Sequence, residues 1–398
     1  MKGERDRRLY AGHNEMMNIA VIAIGYNRKD SLYRLLKSLE RAEYPDYVNV
    51  TLIISLDKSD IHKEMEDFFE QFEWSHGDRI VRTFETRQGL KNHILSCGDL
   101  VNEYDAVVLF EDDLVVSRYY YYYLQAVISR YENSEQIAGI SLYSPRVNPY
   151  CRRPFEAVNN GYDVYMMQVA QSWGQCWTKR MWHNFKKWFY ENGEELNEST
   201  DMPASIYGWG KQSWLKYYMK YVAVTGQYYI FPYVSLTLNC AEAGEHYSSA
   251  EDYLQVPLLE GKVSSYRLPS VEEAIKYDPF YERIGFDRVI DENRKVIMDL
   301  YGLKMVSDED AILVTTRAYK YKVLRTFGLK YYPHEVNCAN KTSGSGIYLY
   351  DLSVKKDKKT KRSLATDIYD AKGLRWKSML KYGIHGLFDA IKSKSGKR

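Results

Sequence analysis

The chain has 398 residues, enough for a sizeable core and for two or three domains. Its 55 basic and 53 acidic residues nearly cancel, to a formal net charge of +2, which excludes the strongly basic balance of a nucleic-acid binder. With 45% hydrophobic and 27% charged residues it reads as globular, and its 38 tyrosines offer flat faces with hydroxyls, suited to sugar rings or to interfaces.

Residues 1–17 are polar and are expected to be disordered. The run Ile19–Ile24 reads as a buried strand, and Leu32, Leu35, Leu36 and Leu39 predict an amphipathic helix over 30–41. A strand over 50–56, a helix over 61–72, a strand over 79–84, a helix over 90–101 and a strand over 105–110 follow. Strands and helices alternating in this way predict an α/β, Rossmann-like fold: a mainly parallel sheet with helices on both faces. The middle of the chain, 136–250, is rich in aromatics, with helices expected over 178–190 and 211–221.

The region 266–351 is expected to be an α-rich accessory region, and the lysine-rich stretch over 352–372 a linker. Beyond it, Leu374, Met379, Leu380, Ile384, Leu387, Phe388 and Ile391 stand among lysines, the pattern of a short basic amphipathic helix. Such a helix suits an anionic membrane surface, or else packs on its own protein. The expected plan is therefore a catalytic domain over 18–265, the accessory region, and a basic linker and tail over 352–398.

The five cysteines are scattered, odd in number and without a CxxC pair, which argues against a zinc site or a disulfide framework. No apolar run approaches the roughly 18 residues of a membrane span, and no signal-like stretch follows the charged start. A cytoplasmic protein is expected, peripheral at the inner face of the membrane if the tail binds there.

Parallel sheets bind ligands beyond the carboxyl ends of their strands. Three strand ends matter here: Gly25-Tyr26-Asn27-Arg28, Asp57, and Glu111-Asp112-Asp113. Adjacent carboxylates at the end of a buried strand are costly without a cation against them. Mg²⁺ or Mn²⁺ bridging a pyrophosphate is one such cation, with Asp113 toward the metal and Asp112 orienting the sugar or its ribose. The plainer alternatives are an acidic turn before the next helix and, for Asp57, a turn residue.

In these segments the sequence resembles GT-A glycosyltransferases, namely bacterial family-2-like enzymes and, distantly, the N-acetylglucosaminyltransferase that initiates complex N-glycan branching. The resemblance runs from about Asn18 to Ser249. It implies donor contacts from Gly25, Tyr26, Asn27 and Arg28, and a base contact from Asp57. It also implies base or phosphate contacts from Arg87, Gly89 and Lys91, and a metal-binding acidic motif at Glu111-Asp112-Asp113. Ser172–Trp177 is similar to the stretch that lines the acceptor side, which implies acceptor contacts from Trp173, Gly174 and Trp177. Tyr233–Asn239, followed by Gly244-Glu245-His246, is similar to the late strand and the loop that closes over the donor, which adds His246 to the donor contacts. By composition alone, the tryptophans fit a core and His246 an ordinary loop.

One departure stands out. The resembling enzymes carry a general base, an Asp, between two tryptophans, whereas Trp209–Trp214 contains no acid. Asp201 and Glu245 are the candidates to replace it. The expected activity is metal-dependent transfer of a hexose or N-acetylhexosamine from a nucleoside-diphosphate sugar, a UDP-sugar first, to a glycan or lipid-linked glycan acceptor. Inversion, and a place in bacterial surface-polysaccharide assembly, are implied by resemblance. Two other readings stay open: a nucleotidyltransferase, and a non-catalytic glycan-binding protein on a decayed transferase fold.

Overall fold

A computed structural model describes residues 17–193, 196–240, 254–306, 310–361, 363, 364 and 366. The first apolar run forms β1 (Ile19–Gly25), buried at every residue. β2 (Leu52–Leu56) is buried throughout, β3 (Arg79–Thr83) only in part, and β4 (Ala106–Glu111) is buried up to its last residue. Successive side chains of a strand point to opposite faces, so unbroken burial means that both faces of the sheet are covered.

Helices α1 (Lys29–Glu40), α2 (His62–Phe69) and α3 (Gly89–Gly98) connect these strands, and α1 buries Leu32, Leu35, Leu36 and Leu39. Beyond β4 come β5 (Leu114–Val116), α4 (Tyr120–Tyr131), β6 (Ile137–Ser141), the paired β7 (Val147–Asn148) and β8 (Arg153–Pro154), and β9 (Val164–Met167). Then follow β10 (Gln175–Thr178), α5 (Lys179–Asn192), α6 (Ala204–Tyr207), α7 (Trp214–Thr225), β11 (Tyr228–Pro232), β12 (Thr237–Asn239) and β13 (Lys276–Tyr277).

One nine-stranded sheet runs in the order β13-β9-β11-β6-β10-β4-β1-β2-β3. β3, β2, β1 and β4 are mutually parallel, so Gly25, Leu56, Thr83 and Glu111 end on one edge. β10 is antiparallel to both β4 and β6. This is the Rossmann-like, mainly parallel α/β architecture expected of a GT-A domain.

The chain divides into two compact units, the first reaching Ile284 and regaining Leu303–Met305. It therefore extends past residue 265: β13 adds to the sheet, and Tyr277, Phe280 and Tyr281 are buried. The second unit, Gly285–Gly302 and Val306 onward, departs from the α-rich expectation. It is a four-stranded sheet in the order β14 (Val296–Asp299), β15 (Ile312–Thr315), β17 (Gly346–Lys355), β16 (Tyr321–Gly328). Its helices, α8 (Asp287–Ile290) and α9 (Glu335–Ala339), are only 4 and 5 residues long. Short β-branched runs such as Val296-Ile297 and Ile312-Leu313-Val314 favour strands over helices, which explains the difference. β17 also carries the fold to Lys355, with Leu352 buried at 1% exposure, so the expected linker does not begin at 352. The tail from Leu374 and residues 1–16 lie outside the described residues. No helix among those described is long and apolar enough to cross a membrane.

Candidate functional site

The acidic triplet lies where β4 ends. Glu111 closes the strand, Asp112 and Asp113 form the turn, and β5 leaves to pair with β12. Arg28, at the N-cap of α1, comes across from the neighbouring β1 end. Its guanidinium donates to the Asp112 carboxylate through Nη2, and through Nε at 3.2 Å, and stands 3.3 Å from Asp113 Oδ2. Burial works against the Arg28 charge, but Asp112 and Asp113 outweigh it and hold its pKa above the ordinary arginine value. Burial, with Asp113 and Asp112 beside it, pushes the Glu111 carboxyl well above the usual carboxylate range.

Asp113 Oδ1 is buried and without a hydrogen-bond partner. Such an orphaned acceptor fits a divalent ion held by one carboxylate and otherwise by ligand oxygens. Among the described residues no group of three His, Cys, Asp or Glu side chains could hold a metal by itself. The protein's share of the coordination would rest on Asp113, with Arg28 already neutralising Asp112.

Asp57 is 4% exposed and binds the start of α3. Its Oδ1 accepts from the backbone N–H of Lys58 at 2.8 Å and of Gln88 at 2.7 Å, and its Oδ2 from Gly89 N–H at 2.9 Å. Gly89 has φ +69°, which favours glycine, and no cap comes from α3's own N-cap residue. A carboxylate from the end of the neighbouring strand, β2, therefore does the capping. The neighbouring Arg87 guanidinium lies over the Tyr26 ring, 4.6 Å from its centroid, which ties the β1 turn to the α3 turn. Gly25 packs closely under α1, since a Cβ there would meet Leu32 Cδ2 at 2.6 Å, and Asn27 is exposed. Lys91 lies over the Tyr217 ring.

The three residues expected on the acceptor side have different surroundings. Trp177 is fully buried, donates from Nε1 to Tyr229 OH at 2.7 Å and stacks on Tyr218. It is a core residue, not an acceptor contact, because β10 turns it into the aromatic cluster between α5 and α7. Trp173 is half-buried and meets Tyr143 edge-on at 4.8 Å. Gly174 has φ +84°, and a Cβ there would meet Thr237 Cγ2 at 2.7 Å, so the turn requires glycine.

Asp201 is already engaged. Its carboxylate accepts from Ser199 Oγ at 2.6 Å, Tyr207 OH at 2.7 Å and Lys220 Nζ at 2.5 Å. Burial raises its pKa, but Lys220, Ser199 and Tyr207 outweigh this and hold it below the ordinary range. A carboxylate so occupied is a poor proton acceptor, which counts against Asp201 as the base. Glu245 and His246 lie outside the described residues. The described residue at the base of their segment, Cys240, donates its N–H to the Asp113 carbonyl at 2.8 Å. Arg28 as counter-charge stands out only in three dimensions; nothing local in the sequence marks its partners.

No family model matches the sequence, and no curated protein matches it. Among solved structures the chain is similar to S. aureus TarS 1–349 in complex with UDP-GlcNAc, at 14% identity and a TM-score of 0.37, over 59% of this chain and 62% of that one. It is also similar to the mannosyltransferase PcManGT from Pyrobaculum calidifontis in complex with GDP-Man and Mn²⁺, at 12% identity and a TM-score of 0.35, over 61% and 64%. The chain thus covers less than two thirds of either solved chain.

Proposed function

We propose that this chain is a glycosyltransferase that takes a sugar from a nucleoside diphosphate, with a divalent ion assisting. The observation that carries the reading is the buried, unpartnered Oδ1 of Asp113, beside an Asp112 already clasped by Arg28, at the carboxyl edge of parallel strands. Asp113 would hold Mn²⁺ or Mg²⁺, which supplies charge stabilisation to the departing diphosphate. Arg28 holds Asp112 in place as a hydrogen-bond acceptor for the donor's ribose or sugar. The turn built by Asp57, with Tyr26 and Arg87 stacked beside it, offers a flat face for the base. Trp173 and Gly174 face the acceptor.

Since Asp201 is locked in its ion pair, Glu245 becomes the first choice for deprotonating the acceptor hydroxyl in an inverting transfer. Hexosyl or N-acetylhexosaminyl transfer in surface-polysaccharide assembly, at the inner face of a membrane, completes the proposal. A second reading, a sugar-nucleotide-binding protein without turnover, is favoured by the engaged Asp201 together with the acid-free Trp209–Trp214 loop.

A thermal-shift screen with UDP-GlcNAc, GDP-mannose and the free diphosphates, with and without Mn²⁺, tests the proposal, because ligands selective for the folded state raise Tm. Metal-dependent stabilisation by one nucleotide, with hydrolysis of its sugar donor, supports the transferase. Binding without turnover supports the second reading, and no response to any nucleotide refutes both.

A further inference from the structure

Asn184, Lys187, Trp188 and Glu191 follow one another along α5 at spacings of three and four residues, so they share one face of that helix. The face lines an open cleft of about 350 Å³, whose other wall comes from Tyr221 on α7, Gln227 before β11 and Glu135 before β6. β10 is antiparallel to both β4 and β6, so β6 runs parallel to β4, and β11 runs parallel to β6. Residues just before β6 and β11 therefore stand on the amino edge of these strands. Gly25, Asp57 and Glu111 stand on the carboxyl edge, so the cleft is separate from the site described above.

Its floor is aromatic. Trp188 is half-buried, and its ring centroid lies 5.7 Å from that of the buried Tyr221, with the planes at 48°. The far wall is held in place by the fold. Gln227 donates from Nε2 to the Glu135 carbonyl, and Arg180 donates to the Glu132 and Ile137 carbonyls at 2.7 and 3.1 Å. The Glu135 carboxylate stays 3.9 Å from Arg180. The α5 wall is different: among the described residues, the Asn184 amide, the Trp188 indole N–H, the Lys187 ammonium and the Glu191 carboxylate have no hydrogen-bond or ion-pair partner.

A sugar ring has an apolar C–H face and a rim of hydroxyls that both donate and accept. It needs an aromatic face to lie on and a mixture of donors and acceptors around it. Trp188 supplies the face, Asn184 supplies both a donor and an acceptor, and Glu191 supplies an acceptor. The charges select no ion, because Lys187 and Arg180 stand against Glu135 and Glu191. The volume lies at the lower end of those that hold small ligands, about 300–1,000 Å³, and the open form lets a longer chain run on past the cleft.

We propose that this cleft is a second saccharide site, which holds a neutral sugar unit of the acceptor glycan away from the edge where transfer occurs. A glycan tethered there meets the catalytic edge at a raised effective concentration. The proposal rests on the transferase reading for its purpose, and on the cleft's own residues for its chemistry.

The test is saturation-transfer NMR and calorimetry on the full chain with chitotetraose, maltotetraose and mannotetraose, with and without saturating UDP and Mg²⁺. The variants are Trp188→Ala, which removes the aromatic face, and Glu191→Ala, on an exposed side chain without an internal partner, should Trp188→Ala not fold. At least one tetrasaccharide is expected to bind, with transfer strongest to the C–H protons of one ring face, and to bind equally well with UDP present. Each variant is expected to weaken that binding about tenfold, through loss of the stacking face or of one charge-assisted hydrogen bond. Binding of none of the three sugars, or full affinity in Glu191→Ala and any folded Trp188→Ala, overturns the site. Displacement of the sugar by UDP and Mg²⁺ places it at the catalytic edge and overturns the second site. Sugar binding that needs Trp188 in a protein that ignores UDP leaves the cleft standing and overturns the transferase reading beneath its purpose.

Discussion

Arg28 and Asp112 are joined by two hydrogen bonds across the carboxyl ends of β1 and β4, and the same guanidinium stands 3.3 Å from Asp113. The protein therefore carries its own cation into an acidic cluster that would otherwise repel itself. The guanidinium balances Asp112 and leaves one Asp113 oxygen buried without a partner.

Arg28→Gln should expose that dependence. Breaking a half-buried pair of this kind is expected to cost about 1–3 kcal/mol. Mn²⁺ or Mg²⁺ should restore part of the lost Tm, because a divalent ion can take over the counter-charge. Calorimetry with and without metal checks this, and a variant as stable as wild type without metal would show that the clasp contributes little.

Asp201→Asn should act on stability more than on turnover. The change removes the charge paired with Lys220, and a loss of about 1–3 kcal/mol is expected with kcat within a few-fold of wild type. Loss of a true general base would instead slow turnover by about 10²–10⁴-fold at an unchanged Tm. Measuring Tm and kcat on one preparation decides between the two.

His93 supplies a pH dependence whose sign is fixed by burial. The ring is hydrogen-bonded to Ser55 Oγ at 2.8 Å between β2 and α3, and burial, reinforced by Arg82, lowers its pKa from 6.5 to about 4. An unfolded chain binds this proton first as pH falls, so the contribution is complete above pH 6.5 and is lost on the way down to pH 4. The full loss is about 3 kcal/mol. Urea unfolding across that range should show the decline in wild type and a shallower one in His93→Gln. Parallel curves would remove His93 from the account.

The strands and helices of the first unit were legible because unbroken apolar runs and leucines at helical spacing leave few alternatives, as in Ile19–Ile24 and Leu32–Leu39. The second unit was not, since runs of four residues such as Val296–Asp299 read as strands only once β15 and β17 pair beside them. At the site, the acidic triplet and Asp57 could be marked from their places at strand ends. Their partners could not: Arg28 meets Asp112 across 84 residues, and Gln88 meets Asp57 across 31. Trp177 looked like an acceptor contact because motif likeness carries no information on which way β10 turns its side chains.

The central claim is that Asp113 holds a divalent ion which in turn holds a nucleoside diphosphate. Titration calorimetry of UDP and GDP into wild type and Asp113→Asn, each with Mn²⁺ and with chelator, measures this directly. The expected result is metal-dependent binding of one nucleotide by wild type, lost in a variant whose Tm is unchanged or raised by removal of the buried charge. Undiminished metal-dependent binding by Asp113→Asn, or nucleotide binding by wild type that ignores the metal, would contradict it.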